Sequence, residues 1–159
     1  MKKVPAPKSQ PTDRIPVISI SPFQDDHTFL KSILSRSEAY GFSSLKWTIH
    51  PFLTAETALP VARTRSAIVM CERDLSPGTW KQVLAEIRPL PDPPLLIVTS
   101  RHADDYLWAE ALNLGAYDVL AKPFNAEEVL RVVNLACLHC GRHTEFRKPA
   151  SPVELASAG

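Results

Sequence analysis

The chain has 159 residues, and few of them combine in ways that could do chemistry. Cys137-Leu138-His139-Cys140-Gly141-Arg142-His143 offers two thiols and two imidazoles, the ligand types that zinc takes. One Cys-x-x-Cys supplies only half of such a site, and the third and last cysteine is the distant Cys71. Cys140 also continues an apolar helical stripe, so a small buried thiol is the simpler reading and no metal is expected. Carboxylates stand at Asp25-Asp26, Glu72 and Asp74. A lysine, Lys122, stands directly before Pro123-Phe124. Glu72 and Lys122 each follow a short apolar run. Facing one another they would form an ion pair, worth about 0–1 kcal/mol if partly exposed. Only five glycines are present, and none falls in a Gly-x-Gly-x-x-Gly, Gly-Lys-Ser/Thr or Gly-x-Ser-x-Gly pattern. His27, His50, His102, His139 and His143 lie beside no evident nucleophile. An enzyme is not expected.

Composition narrows the class further. Lys and Arg total 18 against 17 Asp and Glu, a net charge of +1; a dedicated nucleic-acid binder carries a clear basic excess. No apolar run approaches the roughly 20 residues of a membrane helix. Met1-Lys2-Lys3 has no apolar stretch behind it, so no secretory signal is expected. Three cysteines are too few and too odd for a disulfide framework. Together these features lead to an expected cytoplasmic location. Proline is the unusual count, 15 residues, where about 5% is average. Pro5, Pro7, Pro11 and Pro16 crowd the start with Lys2, Lys3, Lys8 and Arg14. Residues 1–14 therefore read as an extended basic tail, residues 15–140 as one folded domain, and 141–159 as a second flexible tail.

The candidate residues must be positioned by the elements between the tails. Pro16-Val17-Ile18-Ser19-Ile20 reads as a strand. Ser21 and Gln24 form a capping-box pattern with Pro22 at the first helical position, so a helix is expected to open at Ser21. Phe29, Leu30, Ile33 and Leu34 then recur at helical spacing. Leu45–His50 is a second strand, and Thr54–Arg63 a helix interrupted by Pro60. Ala67-Ile68-Val69-Met70-Cys71 and Leu95–Thr99 are nearly continuous aliphatic runs, as strands covered on both faces require. Trp80, Val83, Leu84 and Ile87 give a helical stripe after Ser76-Pro77-Gly78. Asp104–Leu114 is helical, Asp118–Ala121 strand-like, and Asn125 with Glu128 caps a last helix. Five strands alternating with five helices demand a doubly wound parallel sheet with helices on both faces. The expected order is the flavodoxin-like 2-1-3-4-5, with the functional crevice at the carboxyl ends of the strands. Ser21, Glu72, Thr99 and Lys122 stand at those ends.

With those positions in view, the chain resembles response-regulator receiver (CheY-like) domains over roughly residues 15–138. Gly115-Ala116-Tyr117-Asp118-Val119-Leu120-Ala121-Lys122-Pro123-Phe124 looks like the family's fifth strand and Lys-Pro-Phe turn. Leu96-Ile97-Val98-Thr99-Ser100 is similar to its fourth strand with the terminal hydroxyl. Ala67–Gly78 is similar to the third strand and the loop after it.

The resemblance implies a phospho-acceptor aspartate after the third strand and two acids after the first that help hold Mg²⁺. It also implies a Thr or Ser after the fourth strand and a lysine after the fifth, both bonding phosphoryl oxygens. That reaction needs charge neutralisation and positioning more than acid–base work. Here the acceptor position falls on Glu72, or on Cys71 after a one-residue slip. The acidic pair is replaced by Ser21-Pro22, and Asp25-Asp26 reads as a first helical turn, where acids suit the helix dipole. Thr99 or Ser100 supplies the hydroxyl, Lys122 is retained, and Val119 holds the place of the family's switch aromatic. Trp108 and Tyr117 offer a partner surface.

The expectation is a stand-alone pseudo-receiver of a two-component phosphorelay pathway. It would lack the acceptor aspartate, need no cofactor (Mg²⁺ binding being doubtful) and act through protein–protein contact. Its partner would be a histidine kinase or a downstream output protein, with no nucleic acid and no membrane, and a homodimer stays open. One alternative is an active receiver with acceptor Asp74 and metal-binding Asp25 and Asp26. Another is a small metal- or nucleic-acid-binding module that uses its tails.

Overall fold

In a computed structural model, residues 14–42, 46–65 and 68–147 are described. The expected basic tail, apart from Arg14, lies outside the described residues, as do residues 148–159. The order is β1 (Arg14–Ile20), α1 (Gln24–Ser35), a 3₁₀ turn (Ser37–Tyr40), β2 (Lys46–Phe52), α2 (Ala55–Arg65), β3 (Ile68–Glu72), α3 (Trp80–Ile87), β4 (Leu95–Ser100), α4 (Asp105–Leu114), β5 (Asp118–Ala121) and α5 (Ala126–Arg147). All strand pairs are parallel, and the sheet runs β2-β1-β3-β4-β5, the expected flavodoxin-like order.

Each strand sends alternate side chains to opposite faces. Ile18, Ile20, Val69, Leu96, Val98 and Val119 therefore meet one set of helices, chiefly Trp80, Val83 and Ile87 of α3 with Leu107 and Ala111 of α4. Val17, Ile68, Met70, Ile97 and Leu120 meet the other set, Leu30 and Leu34 of α1 with Val129, Leu130, Val133 and Ala136 of α5. Every residue of β3 is buried, which is why its sequence shows no polar alternation.

Three local expectations change. The helix expected to open at Ser21 opens at Gln24, and its N-cap Phe23 makes no side-chain cap bond. The Ser21 hydroxyl instead donates to the Asp26 carboxylate at 2.6 Å and accepts the Phe23 N–H. A bond to an ionised acceptor outweighs an ordinary cap. Pro60 sits inside α2, which runs on to Arg65. α5 also runs on to Arg147, past the expected boundary at residue 140. Adding residues to a helix already nucleated costs little, so a polar sequence can extend one that packing has started.

Other helix starts follow their sequence signals. Asn125 Oδ1 accepts the Glu128 N–H, as expected. Asp104 caps α4. Thr79 and Gln82 form a reciprocal capping box at α3. Thr79→Ala removes one half of that box. It is expected to destabilise the domain by about 1 kcal/mol, read as a lower urea midpoint at unchanged slope.

Candidate functional site

The strand alternation that builds the core also gathers the site. Met70 and Glu72, and Ile97 and Thr99, are two apart on their strands, and Lys122 follows Leu120 by two just past the end of β5, so the polar member of each pair points to the α1/α5 face at the strand end. Glu72 and Thr99 are also direct partners in the β3–β4 register. The Lys122 ammonium is ion-paired with Glu72 Oε2 and with Asp26 Oδ2, the second at 2.8 Å. Thr99 donates its hydroxyl to Glu72 Oε2 at 3.3 Å, and the Asp74 N–H reaches Glu72 Oε1 at 3.3 Å. Glu72 is 1% exposed, Asp26 8% and Lys122 9%. A lone buried charge is very costly, so two carboxylates and one ammonium this deep depend on one another. The contact expected between Glu72 and Lys122 therefore forms, but as a buried pair rather than a partly exposed one.

By sequence position Asp26 is an ordinary first-turn acid. The structure corrects that: Asp26 is buried and belongs to the triad, while Asp25, one residue earlier, is exposed. Behind it, His27 is 3% exposed and spans Ser19 Oγ at 2.8 Å and the Ser21 carbonyl at 3.0 Å. A carbonyl only accepts, so Nε2 donates to Ser21, while Nδ1 is hydrogen-bonded to the Ser19 hydroxyl. The Ser19–His27 and Ser21–Asp26 contacts tie the first turn of α1 to the end of β1, which holds Asp26 against Lys122. The sequence signal was present, because Asp26 and His27 are polar yet lead directly into the apolar stripe of α1.

The remaining candidates separate. Ser100 points to the opposite face from Thr99, and its hydroxyl accepts the His102 N–H at 3.0 Å. Thr99 is thus the hydroxyl that meets Glu72. Pro22 and Asp74 are exposed. Val119 is buried in the cluster with Leu107 and Ala111. Cys71 faces that same cluster, and burial together with the Glu72 charge pushes its thiol far above the ordinary range, so it stays protonated and unreactive. Trp108 stands 40% exposed on α4. Tyr117 is half-buried and its hydroxyl is within 2.8 Å of His139 Nδ1. Cys137 and Cys140 are half-buried in α5, and burial raises both thiols. Among the described residues no three His, Cys, Asp or Glu side chains are grouped to hold a metal ion.

The triad of Glu72, Asp26 and Lys122 does not fit the Mg²⁺ that the resemblance implies. A divalent cation needs free carboxylate oxygens. Both oxygens of Glu72 and Oδ2 of Asp26 already accept from protein donors. The Lys122 ammonium supplies the positive charge between them.

No protein-family model matches the chain, and no curated protein sequence matches it either. Solved structures do. The signal receiver domain of a Vibrio parahaemolyticus protein is 18% identical, with a TM-score of 0.74, over 86% of this chain and 99% of that one. The signal receiver domain of an HD-domain-containing protein from Pseudomonas fluorescens is 24% identical, with a TM-score of 0.70, over 84% and 94%. A two-component response regulator from Clostridium difficile is 22% identical, with a TM-score of 0.64, over 78% and 96%. No helix among the described residues is long and apolar enough to cross a membrane. Strand order, the two helix layers and these likenesses agree: the chain has the fold of response-regulator receiver (CheY-like) domains.

Proposed function

We propose that the chain is a pseudo-receiver, a signalling module of a two-component phosphorelay pathway that acts by protein–protein contact without accepting a phosphoryl group. The observation that carries this reading is the pairing of the Lys122 ammonium with both Glu72 and Asp26. In the resemblance, that lysine bonds a phosphoryl oxygen. Here two buried carboxylates already hold it, and a third negative group would enter against their charge. Glutamate is one methylene longer than aspartate, so its carboxylate lies further along toward Lys122, where a phosphoryl group would sit.

A second feature supports a single resting state. Val119 is a small aliphatic fully packed in the core, so no ring there can report the state of Thr99. The output surface is assigned to the face bearing Trp108, whose exposed indole is the kind of anchor that interfaces favour. The partner is a histidine kinase or an output protein.

The alternative with Asp74 as acceptor has weaker support. Asp74 is exposed in the loop after β3, and its backbone N–H is what binds Glu72. Amide NMR with Mg²⁺ and beryllofluoride, a phosphoryl mimic, separates the two. The expected result is no movement at residues 20–26, 71–78, 99 and 122. Shifts there, spreading along 104–124, would mean a live phosphorylation site and would overturn the proposal.

A further inference from the structure

Beside the triad, between α1 and the turn that follows β5, lies a cleft of about 420 Å³. That is the size of a small-molecule site. Its walls are largely apolar. Phe29 projects from α1 with 61% of its surface exposed, and Pro123 and Phe124 also line the cleft. An exposed phenylalanine on the first helix has no part in packing the core, although Phe29 falls at helical spacing with Leu30, Ile33 and Leu34.

Two unmatched charges of opposite sign line the same cleft. Arg101 lies over the face of Phe23, 5.4 Å from the ring centre, and forms no ion pair among the described residues. The Asp25 carboxylate has neither an ion pair nor a side-chain hydrogen bond among them. Asp26 adds Oδ1, since Ser21 and Lys122 both bind Oδ2. Lys122 is already held by two carboxylates and does not add to the demand for an anion. A simple anion in this cleft would satisfy Arg101 but face Asp25 and Asp26. A simple cation would satisfy the acids and leave Arg101 unmatched. A ligand with both charges and an apolar group answers every wall at once.

We propose that the cleft is a binding site for a small zwitterion with an apolar side chain, the chemistry of a free apolar α-amino acid. Its carboxylate meets Arg101, its ammonium meets Asp25 and Asp26 Oδ1, and its side chain lies against Phe29 and Phe124. The inference does not rest on the pseudo-receiver reading, because Arg101, Asp25 and Phe29 lie outside the triad, the Asp26 oxygen it uses is the one the triad leaves unbound, and no statement about phosphorylation is needed.

The test titrates the full chain with L-phenylalanine, phenethylamine, phenylacetate and glycine, read by amide NMR and calorimetry. L-Phenylalanine is expected to shift residues 25, 29, 101 and 124. It should bind roughly tenfold or more tighter than either single-charge analogue, since each loses a charge-assisted contact. Glycine, without the apolar group, should bind more weakly still. Arg101→Ala and Asp25→Ala alter exposed side chains, so both fold, and each is expected to weaken L-phenylalanine by a similar factor. Absence of any shift at about 10 mM ligand, a free energy too small to matter, overturns the proposal. So does equal binding by phenylacetate or phenethylamine, which would mark a plain anion or cation site, or binding that ignores both substitutions.

Discussion

Lys122→Met is expected to destabilise the domain by about 3–5 kcal/mol, the cost of removing one partner from a buried ion pair. The ammonium is the only cation bonded to Glu72 and Asp26 among the described residues. Without it two carboxylates remain at the end of the sheet, one of them almost wholly buried. Thr99 and the Asp74 N–H still bond Glu72, but two neutral donors do not replace a charge. Urea unfolding of the single variant measures the loss. Loss of packing by the lysine stem is a rival cause, and the double variant Lys122→Met with Glu72→Met separates it. Replacing both partners of a buried pair by apolar residues is often neutral, so the double variant is expected to regain the part of the loss due to Glu72, with Asp26 still held by the Ser21 hydroxyl alone. If Lys122→Met unfolds within about 1 kcal/mol of the parent, the triad behaves like a screened surface pair and its description as a buried charge cluster is wrong.

Leu130→Ala should cost about 2–5 kcal/mol. Leu130 is fully buried where α5 packs on the sheet, in the cluster that holds Ile97, Met70 and Leu30. Truncation leaves a cavity among neighbours fixed on two helices and two strands, with little freedom to collapse into it. Leu138, on the same helix, is 59% exposed, and Leu138→Ala is expected to change stability by less than about 0.5 kcal/mol. Chemical denaturation of the two variants side by side checks the α5 docking. Similar losses for both would mean that the outer face of α5 is covered in solution.

Much of the site was legible in the sequence because strands have a period of two. The runs ending in Glu72 and Thr99, and the short strand before Lys122, put those side chains at strand ends on one face by alternation alone. The same rule places Ser100 opposite, though the two hydroxyls stayed open until the register of β4 was known. Helix caps at Asp104 and Asn125 involve neighbours three residues apart, so they too could be read locally. The start of α1 could not. Ser21 and Gln24 match a capping box, yet the Ser21 hydroxyl bonds Asp26, and that choice depends on what Asp26 itself contacts.

The chain by itself determined the fold: alternating aliphatic runs and amphipathic helices leave a doubly wound parallel sheet as the arrangement that buries them all. It also determined that the carboxyl ends of the strands hold a glutamate, a hydroxyl and a lysine. Only the tertiary structure decided that these groups are neutralised among themselves. Asp26 and Lys122 are 96 residues apart in sequence, and nothing local distinguishes an acid that points to solvent from one that closes on a distant ammonium. Burial of Glu72 was likewise hidden, because whether a charge at a strand end is solvated depends on what covers it. Here the cover is the first turn of α1 and the turn after β5, brought over the sheet by the packing of two helices on one face.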